Sequence, residues 1–346
     1  MKRLVALSAA FVTAASLHAS ADLVKAAKNA GMAPIPNNQA ELNKLISTKE
    51  NPLTAEKIEL GKKLYFDPRL SLSGIISCNT CHNLGLGGVD GVPTSIGHQW
   101  MANPHHINAP TVYNAVFNVA QFWDGRSAHL ADQAMGPIAA IPEMALAPDA
   151  AEKRLQSIPA YVEDFKKAFK GEKNPVNFTN VGKAIGAFEA TLVTPSRFDD
   201  FMHGDYKALS KAEQNGLKTF IDKGCASCHN GVGIGGGSMQ VFPLMNEYKY
   251  ANLGDFKGNE KGEMRVPTLR NITETAPYFH NGATWDLEES VGIMANTQLG
   301  MNLKKDEIHS ITVFLSALEG RKPEVTYPQL PASTSKTPKP EPMTKP

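Results

Sequence analysis

Apolar positions along this 346-residue chain recur with helical period far more often than they alternate. Leu60 and Leu64 share one face of a helix that stops at Asp67-Pro68, because the proline ring disfavours helical backbone in the residue before it. Leu217, Phe220 and Ile221 line one face behind a capping box of Ser210 and Glu213. Val181, Ile185, Phe188 and Leu192 repeat with the same period after a Thr179 cap, and Ile308, Ile311, Leu315 and Leu318 do so before Gly320. Few segments alternate convincingly. The pattern predicts a mostly α protein whose helices are joined by long, glycine-rich loops.

Two of these helices belong to a weak internal repeat. "GKKLYFD" (Gly61–Asp67) precedes "CNTCHN" (Cys78–Asn83), and "GLKTFID" (Gly216–Asp222) precedes "CASCHN" (Cys225–Asn230). The four cysteines of the chain all fall in these two copies, each pair followed at once by histidine. Cys-x-x-Cys-His is the attachment pattern of c-type haem: two thiols add to the porphyrin vinyl groups and the adjacent imidazole becomes the proximal iron ligand. A four-thiolate zinc site, two redox dithiols or two disulfides would use the same cysteines. None of them requires a histidine directly after both pairs. The expectation is two cytochrome c-like domains, each with one covalent c-type haem that supplies much of its apolar core.

The first 21 residues change the picture of where the chain works. Lys2 and Arg3 precede an apolar run from Leu4 to Leu17, and Ala19-Ser20-Ala21 offers a small-residue cleavage site, the layout of a secretory signal peptide. No later run is long enough for a membrane span. Export to the periplasm suits covalent haem. About 325 residues then remain, enough for two domains: 22–193 around the first haem and 194–320 around the second. Residues 321–346 form an extension whose first part is expected to pack on the N-terminal domain. From Pro331 on, its Pro/Lys composition predicts disorder. Formal charge is +1, falling to −1 without Lys2 and Arg3. No basic stripe with interleaved aromatics is present, so nothing suggests nucleic acid.

From about Leu53 to Gly320 the chain resembles the bacterial di-haem cytochrome c peroxidases. The segments that carry the resemblance are "LYFDPRLSLSGIISCNTCHNLGLGGVDGVPTSIGH", "NAVFNVAQFWDGR", "GCASCHNG", "TAPYFHNG" and the final helix. The chain is short for the family around Gln240–Glu263 and slightly expanded at "NPHH" after Trp100. The resemblance implies an oxidoreductase that detoxifies hydrogen peroxide, reducing it to water with two electrons from a small periplasmic c-type cytochrome or cupredoxin. It implies a high-potential C-terminal haem for electron entry, a low-potential N-terminal haem that meets peroxide, a calcium ion at the domain interface and a homodimer.

Roles for individual residues follow from the same resemblance. Cys78, Cys81 and His82 hold the first haem. His98 in "SIGHQW" matches the distal histidine that caps its iron in the oxidised enzyme and leaves when the other haem is reduced, with His105 and His106 as nearby competitors. Glu143 in "IPEM" matches the catalytic glutamate, which moves a proton between the peroxide oxygens so that the O–O bond breaks heterolytically. Packing by Ile141, Pro142, Met144 and Leu146 would raise its pKa. Gln133 and Pro137 match further pocket residues, and Gln133 would orient peroxide. Cys225, Cys228 and His229 hold the second haem. Met294 matches its axial thioether, which favours ferrous iron; Met245, Met264 and Met301 are rivals. Trp123 matches a residue between the haems on the electron path, and His280 one near the second haem. Asn108 and the carbonyls of Thr275 and Pro277 match calcium ligands, an oxygen set that suits that ion.

Two other functions compete. A non-catalytic di-haem electron carrier would have two six-coordinate haems and no use for Glu143 or Gln133. A protein-modifying relative, which builds a tryptophan-derived quinone in a partner, would carry tyrosine where Met294 stands.

Overall fold

The computed structural model describes residues 18–341. Twelve helices carry the described chain. They are α1 (18–29), α2 (Gln39–Ile46), α3 (Ala55–Phe66), α4 (Cys78–Cys81), α5 (Leu130–Ala139), α6 (Pro148–Gln156), α7 (Pro159–Ala168), α8 (Phe178–Glu189), α9 (Arg197–Met202), α10 (Lys211–Asp222), α11 (Leu287–Leu299) and α12 (Lys305–Ser316). Short 3-10 turns sit between them. The described strands, β1 (Met239–Val241) and β2 (Glu263–Arg265), pair antiparallel with Gln240 opposite Met264.

Local signals set the helix ends. The capping box at α10 forms as expected: Ser210 N donates to Glu213 Oε2 at 2.7 Å and Glu213 N to Ser210 Oγ at 3.3 Å. The α8 cap is Asn177, not Thr179. Asn177 has extended backbone (φ −140°) and its Oδ1 accepts from Asn180 N at 2.9 Å, whereas Thr179 already lies within the helix.

The repeat has a packing reason. Gly61 on α3 lies against the Ala184 carbonyl of α8, and a Cβ there would come within 1.8 Å of that oxygen. Gly216 on α10 meets the Ser310 carbonyl of α12 in the same way, with 2.1 Å to a built Cβ. Each haem-motif helix thus crosses the last helix of its half backbone to backbone, and glycine opens "GKKLYFD" and "GLKTFID" because no side chain fits there.

Two cores result. Leu60, Leu64, Ile138, Phe165 and Ile185 belong to the first, and Phe198, Leu217, Phe220, Phe314 and Leu318 to the second. A smaller cluster of Ile35, Ile46 and Val193, with Val116, Phe117 and Val232 against it, fills the junction. Beside it the fully buried Arg270 holds Asp199 with two bonds of 2.8 Å, and Asp199 Oδ1 also accepts Ile35 N at 2.7 Å.

The structure corrects two expected boundaries. The segment after residue 21 does not join the first domain: Val24, Ala27 and Met32 lie in the second core. Helix α1 also runs through Ala21, and Ser20 Oγ donates to Gln214 Oε1 at 2.9 Å. Residues 1–17, most of the expected leader, lie outside the described residues. The tail is the second correction. Residues 331–341 are not loose but run along the N-terminal domain. Arg69 Nη1 donates to Ser333 Oγ at 3.0 Å, Thr334 Oγ1 to the Ser157 carbonyl at 3.0 Å, and Glu341 N to the Leu72 carbonyl at 3.0 Å. Further up, Tyr327 packs edge-on against Phe66 at 4.9 Å and Val325 rests on the first core. Small hydroxyl side chains meet fixed partners on the domain, a gain that composition alone does not register. The remaining tail residues lie outside the described ones.

Candidate active site

The first Cys-x-x-Cys-His motif is α4 with one residue added. Ser77 N donates to Thr80 Oγ1 at 2.9 Å to close its start, and Tyr65 Oη donates to the His82 carbonyl at 2.6 Å to fix its end. None of the four cysteines pairs in a disulfide, so both pairs are available for thioether attachment. Burial pushes the Cys81 thiol up to about 12 and Cys225 up to about 11. His82 Nδ1 lies 3.0 Å from the Pro110 carbonyl. A carbonyl can only accept, so Nδ1 carries the proton and Nε2 keeps the lone pair an iron ligand needs. Burial, the largest cause, lowers the His82 pKa and keeps the ring neutral.

The second motif is a 3-10 turn, Cys225–Ser227, tied by Asn230. Its Nδ2 donates to the Ala226 carbonyl at 3.1 Å and the Ser227 carbonyl at 3.0 Å. His229 is buried, its Nδ1 makes no well-formed hydrogen bond, and burial pushes it down to about 4. A neutral, buried imidazole without a full set of partners is costly unless something else occupies its lone pair.

Each motif opens on a cavity. Cys78, Cys81, His82, Gln133, Pro137 and Glu143 line the first, of about 750 Å³. Glu143 sits in the turn after α5, and burial raises its pKa against the pull of Arg126. The second cavity holds Cys225, Cys228, His229, Met294 and His280 on largely aliphatic walls from Leu287, Val291 and Leu315. Met264 lines it as well, so two of the four candidate thioethers face this space. Met245 is 60% exposed and, like Met301, does not line it. The paired thiols, the proximal imidazoles and the orphaned polar atoms fit a haem in each cavity.

His98 stands apart from its expected neighbours. It is buried, its N donates to the Glu143 carbonyl at 2.8 Å, and its Nδ1 has no partner, but it does not line the first cavity. The loop meets the Glu143 turn at Gly97, which does line it. His105 also lines the cavity and bonds Asp255 at 2.8 Å, while His106 bonds Thr94 at 3.0 Å.

Trp123, Asn108 and Pro110 border both cavities. Trp123 Nε1 donates to the Asn108 carbonyl at 3.0 Å, and its ring stands edge-on to His280 at 6.3 Å. Asn108 Nδ2 donates to the Pro277 carbonyl at 3.0 Å, so the structure brings together two of the residues expected at a cation, and Thr275 lines the same second cavity. Among the described residues no group of three or more His, Cys, Asp or Glu side chains forms a metal cluster.

Two residues went unnoticed in the sequence. Glu189, at the end of α8, lines the first cavity with Oε2 unpartnered, and burial pushes it up to about 8. It lies four positions after Ile185, so a carboxyl on the buried stripe was a visible signal. Arg265 borders both cavities, and nothing in "EMRVPTL" marks it.

Comparison with known proteins agrees with this geometry. The family described as di-haem cytochrome c peroxidase matches residues 55–207, and the cytochrome c family matches residues 213–319. The chain is 46% identical to the cytochrome c551 peroxidase of Pseudomonas aeruginosa, over 98% of each chain. It is 47% identical to that of Nitrosomonas europaea, over 84% of this chain and 88% of the other. A MauG-like protein associated with microbial copper homeostasis shares the fold with a TM-score of 0.69 and 26% identity, covering 79% of this chain and 92% of that one.

Proposed function

This chain belongs to the di-haem cytochrome c peroxidase family, and on that premise we propose that it reduces hydrogen peroxide to water in the periplasm with two electrons from a small c-type cytochrome or cupredoxin. The observation that carries this reading is the wall of the N-terminal cavity, where Glu143 and Gln133 share the space with Cys78, Cys81 and His82. Two c-type haems, held by Cys78, Cys81 and His82 in this cavity and by Cys225, Cys228 and His229 in the other, would supply the redox chemistry, electron transfer to peroxide here and electron storage there.

The chain's own residues supply the rest. Glu143 takes the proton from the near peroxide oxygen and returns it to the far one, so the O–O bond breaks with water as leaving group. Overall, one peroxide, two electrons and two protons give two waters, and the Glu143 carboxylate is regenerated. Burial holds its pKa above the ordinary carboxylate range, and Arg126 limits that rise. Gln133 donates a hydrogen bond that orients peroxide. His229 and Met294 would hold the second haem, and Trp123 would stand on the electron route between the cavities.

A calcium ion at the junction belongs to the same proposal. The Asn108 amide, turned over, would set Oδ1 beside the Pro277 carbonyl, and the Thr275 carbonyl would complete a three-oxygen set for a hard cation. Ile96, Trp100 and Ile141 expose apolar surface beside the Glu143 turn, which supports a homodimer. No described helix is long and apolar enough to cross a membrane.

A second reading concerns the gate. If His98 caps the iron until the other haem is reduced, its side chain must swing into a cavity that its loop borders but that it does not itself line here. Its place outside the cavity wall favours a site that is open from the start. Peroxide-driven oxidation of a reduced small cytochrome, with calcium present, separates the readings. Fast turnover only after pre-reduction of one haem supports the gate, and equal rates from the oxidised enzyme remove it. No turnover in either state, with both haems attached, refutes the peroxidase.

A further inference from the structure

Among the described residues seven line both cavities, and of these Arg265 is the one with a charged side chain. It is 3% exposed. Its placement is secured from the backbone: Arg265 N donates to the Trp123 carbonyl at 2.8 Å and Nε to the Phe122 carbonyl at 3.3 Å, while the guanidinium lies 5.9 Å from the Trp123 ring centre. No carboxylate among the described residues pairs with it. Burial alone lowers its pKa, to about 10, with no acidic neighbour pulling the other way. It therefore stays charged at neutral pH.

The other buried arginines differ. Arg270 has the two oxygens of Asp199, and Arg154 donates to the carbonyls of Arg69 at 2.7 Å and Ser71 at 2.6 Å with the charge of Asp67 nearby. A buried guanidinium without a counter-charge is a costly arrangement, and such groups are retained where an anion completes them. The anions that a di-haem protein brings to these cavities are the haem propionates. A guanidinium is a planar fork whose in-plane N–H edges can hold carboxylates on two sides in fixed geometry, which a point-like ammonium cannot do.

We propose that Arg265 is the shared counter-cation of the two haems, holding a propionate from each side with its fork and raising both midpoint potentials. It is a positioning residue, and the proposal rests on the two-haem reading above. Reduction adds an electron next to this positive charge, so the charge favours the reduced form of each iron. Its position beside Trp123 also ties the propionate charge to the residue that separates the cavities.

The test is an optical redox titration of the holoprotein carrying Arg265→Gln or Arg265→Lys, with haem content per chain measured first. Fewer than two haems in the wild type would sink the two-haem premise and the assignment with it, whereas with two haems present the potentials test the assignment alone. With two haems present, Arg265→Gln is expected to lower both midpoint potentials. Arg265→Lys keeps one positive charge but spans only one carboxylate, so it is expected to lower one potential. The lysine variant also serves if the glutamine variant does not assemble. Unchanged potentials in either assembled variant overturn the assignment, because a purely structural arginine has no reason to shift both irons in one direction.

Discussion

Gly97 is where the His98 loop touches the turn that carries Glu143, and replacing it with alanine tests whether that contact sets the proposed catalytic carboxylate. The φ of Gly97 is −114°, open to any residue, so room and not conformation demands glycine. A Cβ there would sit 2.1 Å from the Pro142 carbonyl oxygen and 2.6 Å from that of Glu143. Ordinary contact for such a pair begins near 3.4 Å. Either the loop or the turn must therefore move by roughly an ångström. A displacement of about 1 Å at reacting groups costs on the order of 100-fold in rate. Overpacking costs about 1–3 kcal/mol of stability. Gly97→Ala should thus lower kcat about 100-fold while keeping both haems, and add little to the defect of Glu143→Gln in the double variant. Steady-state oxidation of a reduced cytochrome gives the numbers. Wild-type kcat in Gly97→Ala, or full multiplication of the two defects, refutes the idea that this contact positions Glu143.

Four other outcomes follow from the geometry. Glu143→Gln should lose about 10²–10⁴ of the turnover rate with haem content unchanged. In the wild type the rate should rise with pH through a pKa above the ordinary carboxylate range, because Glu143 must be ionised to accept a proton and burial has raised it; a rate that is already full at pH 4 contradicts this. Met294→His should lower the midpoint potential of the C-terminal haem, since thioether ligation favours ferrous iron, and Met264→Leu should leave it within error; the reverse pattern would reassign the ligand. Asp199→Asn leaves Arg270 buried without its partner and should cost about 3–5 kcal/mol, read as a fall in Tm. Burial raises the Asp199 pKa, but Arg270 and neighbouring donors outweigh it and hold it low in the fold. Its contribution is therefore present above the ordinary aspartate pKa and lost as pH falls through the folded value, so the Tm gap between wild type and variant should close in acid.

What could be read from the sequence was local or strongly patterned. The Cys-x-x-Cys-His copies placed both haem motifs, and the apolar periods placed α3, α8, α10 and α12, because those signals lie within a few residues of each other. Asn177 displaced Thr179 as a cap because either residue type can close a helix and only the backbone turn decides. Glu143, Gln133 and Met294 came from family resemblance: each is an ordinary residue in sequence, and its proposed role depends on facing a cavity built by distant segments. Arg265 was invisible for the same reason, since its isolation from carboxylates is a property of packing. The tail misled because Ser, Thr and Pro make disorder and specific docking with the same residues.

The two ends of the described chain show how the halves are held in register. Helix α1 leaves the N-terminal half to pack Val24 and Ala27 into the second core, and the tail leaves the C-terminal half to run from Arg321, paired with Asp200, to Glu341 on Leu72. Each half is thus gripped by the other's terminal segment. That arrangement matters to the proposed function, because the roles proposed for Trp123, Asn108 and Arg265 require both cavities to keep a fixed spacing across the junction. The junction cluster of Ile35, Ile46 and Val193 and the Arg270–Asp199 pair stiffen it further. The His98 loop lies outside this clamp, tied to the site through the Gly97 contact and one backbone bond to Glu143. On the proposed reading, a rearrangement that opens or closes the peroxide site can therefore be confined to that loop, without disturbing the proposed electron path.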